Sequence, residues 1–202
     1  MRSLTEEELR TFLSKLAIYC SSNLSELIKS TADDSNDENA RMVFRIQGNR
    51  VFYMPLRLAN LATSIPRASL LSCGTMMGKF TKTGKFRLAL TCLSVISPYS
   101  RTKIWIKPNG EMPFLYGSNG TDLNRNELKA PFSDSNFLPV VKAHVGKISE
   151  DCPEHSGCIV YSMDDTPLGF GVTARSSAEM RKLEPTAIVL FRQADEDTLF
   201  TT

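Results

Sequence analysis

Leu9, Phe12, Leu13, Leu16 and Cys20 recur at the spacing of one helical face, directly after Thr5 and Glu8, which stand three apart as a capping box. The spacing predicts a helix over residues 5–29, broken near Ser21 and Ser22. Thr31 to Asn39 is polar and acidic and reads as a surface loop. Met42–Ile46 and Arg50–Tyr53 flank Gln47-Gly48-Asn49, the pattern of a hairpin with a short turn. Pro55 to Ala62 suits a helix with proline in its first turn. From Lys85 to Leu93 the period changes to two. Phe86, Leu88, Leu90 and Cys92 fall on one face and Lys85, Arg87, Ala89 and Thr91 on the other, which predicts a half-buried strand with a basic end.

The texture changes at Ser97-Pro98-Tyr99-Ser100, which marks the expected domain boundary. Beyond it Arg101–Lys107, with Ile104 and Ile106 inward, reads as a strand. Gly157–Met163, Leu168–Ala174 and Ala187–Gln193 read as three more, with turn chemistry between them. Short strands at close spacing predict a small barrel. Ser118 to Pro139 has no period and is rich in Asn, Asp and Ser, so a flexible insertion is expected at about 118–139. The expected fold class is α+β, with an N-terminal α/β domain over 1–97, its sheet mostly antiparallel, and a second domain over 98–195.

Length and composition narrow the class. The chain has 202 residues, room for one large or two small domains. No apolar run approaches the length that spans a bilayer, so no membrane is expected as a partner. Met1 to Glu8 is acidic and polar, unlike a secretory or transit signal. The five cysteines are odd in number and mostly sit in apolar runs, which suits a reducing compartment.

Charge changes the picture more. Between Glu38 and Glu111 there is no acidic residue, yet there are twelve Lys and Arg. The first forty residues hold eight acids against four bases, and the segment from Pro108 onward holds fourteen against eight. The net charge of +2 therefore hides a positive middle third between acidic flanks. Such asymmetry speaks about partners rather than fold, and a polyphosphate is the partner that gains most, because each cation meeting a phosphate releases counterions. A solvated strand face would also carry cations, but it would not exclude every carboxylate.

The candidate motifs differ in weight. Gly74-Thr75-Met76-Met77-Gly78-Lys79 has three residues between its glycines where a phosphate-binding loop needs four, and Phe80 stands where it needs Ser or Thr. Lys79, Lys82 and Lys85 interleave with Phe80 and Phe86, so the lysines could track a nucleic-acid backbone, while the phenylalanines read better as core anchors. Cys152, His155 and Cys158 are soft ligands three apart, but no fourth zinc ligand is apparent and a buried-core reading is preferred; no metal and no cofactor are expected. With two histidines and no nucleophile elbow, paired-carboxylate motif or dinucleotide glycine motif, a catalytic role has no residues to carry it. Gly169 and Gly171 alternate on a strand, where they permit close approach by a ligand or by a neighbouring strand. After them Arg175, Ser176, Ser177, Arg181 and Lys182 offer hydroxyl donors and cations suited to phosphate oxygens, or else form a tight turn with a solvated basic loop.

At this point the chain resembles a known family. Met1-Arg2-Ser3-Leu4-Thr5-Glu6-Glu7-Glu8, Gly78 to Leu88, Lys103 to Gly117, Lys142 to Lys147 and Pro167 to Val172 together look like the nucleolar "Nip-seven" proteins, over nearly the whole length. The resemblance implies an N-terminal α/β domain and a C-terminal PUA domain, a small RNA-binding pseudo-barrel. It implies a non-catalytic, monomeric factor of large (60S) ribosomal subunit biogenesis in the nucleus and nucleolus. The implied partners are precursor ribosomal RNA, pre-60S particles and other assembly factors, including an rRNA methyltransferase. It places RNA contact at the loop matching Arg175, Ser176, Ser177, Arg181 and Lys182. The chain departs from the family in about twenty extra residues after Gly117 and in a short segment missing after Asp195. Two other classes stay open: an RNA-modifying or RNA-cleaving enzyme or its accessory subunit, and a protein-binding adaptor.

Overall fold

The computed structural model describes residues 1–32, 41–66, 69–70, 72–116 and 137–193. The chain folds into two compact units, Met1–Arg101 and Thr102–Ala194.

In the first unit, α1 (Glu6–Cys20) begins on Thr5, whose hydroxyl accepts from the Glu8 amide while the Glu8 carboxylate accepts from the Thr5 amide. Both halves of the capping box are formed, so two otherwise unpaired donors are satisfied. Helix α1 ends where the sequence reading broke it, in a 3-10 turn over Ser21–Asn23, and α2 (Leu24–Ala32) follows. Strands β1 (Met42–Gln47) and β2 (Arg50–Pro55) form the hairpin, with Gly48 at φ +61 in its turn, a backbone region that favours glycine. Then come α3 (Leu56–Thr63), β3 (Thr75–Phe80), β4 (Phe86–Leu88) and α4 (Leu93–Ile96). The sheet is antiparallel throughout, in the order β1-β2-β3-β4. Phe12 of α1 is fully buried and meets the rings of Phe44 and Phe86 edge-on, each with centroids 5.0 Å apart. On the other face α3 lays Ala59 against Val43, Phe52 and Met54.

One expectation needs correction. The strand expected over Lys85–Leu93 stops at Leu88, and the chain turns through a 3-10 helix at Leu90–Cys92. The last ladder bond is donated by Ala89 to the Met77 carbonyl, where β3 itself is bulged. Leu90, expected inward, is exposed. The alternation persisted, but β3 is bulged at Met77, and the chain turns there with the Thr91 hydroxyl donating to the Met76 carbonyl.

In the second unit, β5 (Lys103–Ile106), α5 (Pro108–Tyr116), β6 (Phe137–Val141), β7 (Val145–Ile148), β8 (Gly157–Ser162), β9 (Pro167–Thr173), α6 (Ser177–Met180) and β10 (Ile188–Gln193) build a six-stranded sheet in the order β6-β10-β9-β8-β5-β7. Every pairing is antiparallel except β5 with β8. Ile104, Ile106, Cys158, Val160 and Leu190 point into one core with Phe114 of α5. The alternating glycines serve that core. A Cβ on Gly169 would sit 3.0 Å from the Phe114 ring, and one on Gly171 would collide with Leu190. The close neighbour is therefore protein. Helix α5 escaped the pattern because Pro113 lies inside it and Asn109-Gly110 reads as a turn.

The insertion expected at about 118–139 falls outside the described residues over 118–136. Its last three residues do not belong to it. Phe137, Leu138 and Pro139 open β6 and pair with Gln193, Arg192 and Phe191 of β10. A chain lacking 118–139 is therefore expected to melt lower than one lacking 118–136, and equal melting temperatures would return those residues to the insertion. The N-terminus carries a pH dependence. Arg2, and next the Thr5 amide, hold the Glu8 carboxyl down to about 2 from an ordinary value near 4.5. A depressed carboxyl contributes stability that is present above its unfolded value and lost as pH falls toward its folded one. Glu8→Gln should thus flatten the loss of melting temperature between about pH 4.5 and 2, the window those values set.

Candidate nucleic-acid interface

The second unit carries a cavity of about 630 Å³, lined by Lys107, Lys142, Ala143, Val145, Gly146, Ile148, Met180, Arg181 and Pro185. Three of these are cations and none is acidic. The walls are tied together by backbone bonds from Lys107 to His144, from Lys142 to Ala187 and from Ala143 to Pro185, at 2.7–2.9 Å. The two ammonium groups are held as well. Lys107 donates to the Ala143 carbonyl at 3.1 Å, and Lys142 donates to the carbonyls of Arg181 (2.9 Å) and Leu183. An ammonium has three donors, so these bonds leave two on Lys107 and one on Lys142. Arg181 at the rim is exposed and adds a planar fork suited to phosphate. Cations held on fixed carbonyls beside the partly exposed Val145 and Ile148 make a concave surface that can take a phosphate and the apolar face of a neighbouring base.

The sequence-nominated loop divides on inspection. Arg175 is exposed and faces Glu154 at 3.4 Å, and Lys182 is exposed. Ser176 is the N-cap of α6, its hydroxyl accepting from the Glu179 amide. Ser177 is buried and donates its amide to the Cys152 carbonyl at 2.9 Å. The Ser176 hydroxyl and the Ser177 amide thus build the turn, and the cations are what it presents. Lys107 and Lys142 were missed because nothing local distinguishes them. They sit thirty-five residues apart in sequence and are brought together by the bonds of Lys107 to the Ala143 and His144 carbonyls.

In the first unit Lys82 and Lys85 are exposed on the turn between β3 and β4, which Thr81 closes on the Lys85 backbone at 3.1 Å. Lys79 lies in β3, directly between Arg50 of β2 and Arg87 of β4. Register thereby sets three cations in a row across the sheet. The phenylalanines do not join them. Phe86 is buried, and Phe80 packs edge-on against it at 4.9 Å.

The other motifs resolve as structure. Thr75–Phe80 is strand β3 rather than a phosphate loop. Cys152 and Cys158 are buried, and burial pushes the Cys152 thiol up to about 11 and the Cys158 thiol well above its usual value. Among the described residues no three His, Cys, Asp or Glu side chains gather where they could hold a metal.

Residues 1–90 match the family model described as "NIP7/UPF0113, pre-PUA domain", and residues 138–197 match the "UPF0113 PUA domain". The 60S ribosome subunit biogenesis protein NIP7 of Saccharomyces cerevisiae is 49% identical over 208 residues, covering 100% of both chains. The chain belongs to the NIP7 family. Its counterpart in Schizosaccharomyces pombe is 50% identical over 99% of this chain and 100% of its own, and the Danio rerio homologue is 40% identical over 98% and 99%. The fold is shared with a PUA-domain protein of Aeropyrum pernix K1, solved as a tartrate complex, at a TM-score of 0.50 and 12% identity over 98% of this chain and 87% of that one. A hypothetical protein of Pyrococcus horikoshii OT3 matches at 0.50 and 11% over 96% and 95%. For this NIP7-family chain the α+β class and the C-terminal PUA domain are thereby established.

The split within the Arg175–Lys182 loop can be measured. Ser176→Ala should lower unfolding free energy by about 1 kcal/mol through loss of the cap and leave RNA affinity unchanged in a fluorescence anisotropy titration. Unchanged stability with a tenfold loss of affinity would make the hydroxyl an RNA contact instead.

Proposed function

We propose that this chain is a non-catalytic RNA-binding factor of 60S ribosomal subunit biogenesis, acting in precursor rRNA processing. The observation that carries the reading is the cavity in the PUA unit, where Lys107, Lys142 and Arg181 converge without a carboxylate. The exposed Arg175 and Lys182 extend that cationic surface. Lys79, Lys82 and Lys85 give the N-terminal unit a second contact with the RNA backbone. Family membership supports the biological setting, since the relatives are named 60S ribosome subunit biogenesis proteins. The same setting supports action in the nucleus and nucleolus on pre-60S particles, as a monomer, beside other assembly factors including an rRNA methyltransferase.

The binding should be salt-sensitive and weakly selective for sequence. Log affinity for a polypyrimidine strand should fall linearly with log salt, by about 0.7 per phosphate contact. An affinity that stays flat across the salt titration would remove the electrostatic account.

Arg181→Ala with Lys182→Ala should weaken RNA binding and reduce that slope, while stability changes by less than about 0.5 kcal/mol, as for other exposed charges. A sharp fall in melting temperature with affinity intact would show the pair to be structural.

A further inference from the structure

Trp105 is the single tryptophan of the chain, and it stands in β5 on the outer face of the PUA sheet. Its neighbours Ile104 and Ile106 point into the core, so alternation turns Lys103 and Trp105 the other way. Register places Tyr161 of β8 on one side of Trp105 and Lys147 of β7 on the other. The Tyr161 side is closed. The two rings stack with centroids 5.6 Å apart and planes 26° apart, and the Lys103 ammonium lies 5.5 Å from the centre of the Tyr161 ring. The indole N–H donates to Asp165 Oδ1 at 2.6 Å. On the other side stands an exposed lysine on the end strand of the sheet, and Trp105 is only half-buried.

The indole is therefore fixed before any ligand arrives. A stacked ring and a hydrogen bond hold its plane, so a second flat group laid on its other face would order little that is not already ordered. The surroundings select that group. Lys107, which lines the cavity, follows Trp105 by two positions, about 7 Å along a strand. Gly146, which also lines it, precedes Lys147, and a Cβ there would come within 3.6 Å of the Lys107 stem. The Trp105–Lys147 pair thus adjoins the cavity and continues its cationic rim. An aromatic face beside lysines suits a nucleotide, base on the ring and phosphate on the ammonium. The platform is one ring wide between Lys103, Lys147 and Asp165, too small an apolar area for a protein partner. Asp165 occupies the indole N–H, which leaves the Lys147 side to the phosphate. On the footing of the RNA-binding reading above, we infer that Trp105 stacks one unpaired base on the ring face turned away from Tyr161, with Lys147 meeting the phosphate of that nucleotide.

A single tryptophan makes the test direct on the full chain. Tryptophan emission and the anisotropy of a labelled polypyrimidine strand are followed in one titration. Emission should be quenched with the same midpoint as the rise in anisotropy. An abasic ribose-phosphate strand of equal length should raise anisotropy without quenching. Trp105→Ala should weaken binding about tenfold, and Trp105→Phe, which keeps a ring, should restore most of it. Lys147→Ala, at an exposed position, should reduce the salt slope by about 0.7. RNA that binds with emission unchanged overturns the inference and leaves RNA binding standing. Quenching by the abasic strand overturns it as well, as does equal affinity of Trp105→Ala and the unsubstituted chain. No rise in anisotropy with any strand overturns the RNA-binding reading together with it. If Trp105→Ala lowers the melting temperature, the emission titration and Lys147→Ala decide, and an unchanged salt slope rejects the phosphate contact.

Discussion

A slip of one position along β5 would turn Ile104 and Ile106 out to water and bring Lys103 and Trp105 into the core with Val160 and Leu190. Register is the constraint on which both units depend, because the side-chain period of a strand is two and a shift moves the whole apolar set to the wrong face. In the second unit the register is secured by shape. Gly169 lies under Phe114 and Gly171 under Leu190, and a Cβ at either position would press on that side chain. In the first unit it is secured by the Gly48 turn and by the aromatic contacts of Phe12 with Phe44 and Phe86. Once these hold, the positions of the surface cations follow without further choice.

The cationic features have different physical origins. The row Arg50–Lys79–Arg87 is a product of register: three residues distant in sequence face one another because their strands pair at those positions. The cavity in the PUA unit is a product of clamping. Lys142 ties the turn before β7 to the end of α6, and Lys107 ties the end of β5 to the same turn. Long cationic side chains lose much rotamer freedom when they are ordered. Held already on backbone carbonyls, these two would lose less of it on meeting a phosphate, which is how preorganisation raises affinity. Arg192 shows the contrary case. It lies over the Phe114 ring at 5.6 Å, half-buried, and burial lowers its pKa; it belongs to the packing rather than to the interface.

The N-terminal unit carries two unlike surfaces. Its sheet face is cationic, and its third helix is aliphatic and turned outward.

Local sequence determined whatever depends on one element alone. The capping box, the break at Ser21, the hairpin at Gly48 and the four strands read between Arg101 and Gln193 were legible because helix and strand periods and turn chemistry are properties of neighbours in the chain. The acid-free middle third was legible too, since charge needs no fold to be counted. Tertiary structure alone decided the rest. It ended β4 at Leu88 beside the bulge in β3, and it made a helix across Pro113 because α5 had a core to cover. It turned Ser176 and Ser177 from phosphate donors into a cap and a buried side chain, and it brought Lys107 and Lys142 into one cavity. Those outcomes rest on which distant residues become neighbours, and that is settled by the packing of apolar faces, a property of the whole chain that no local window contains.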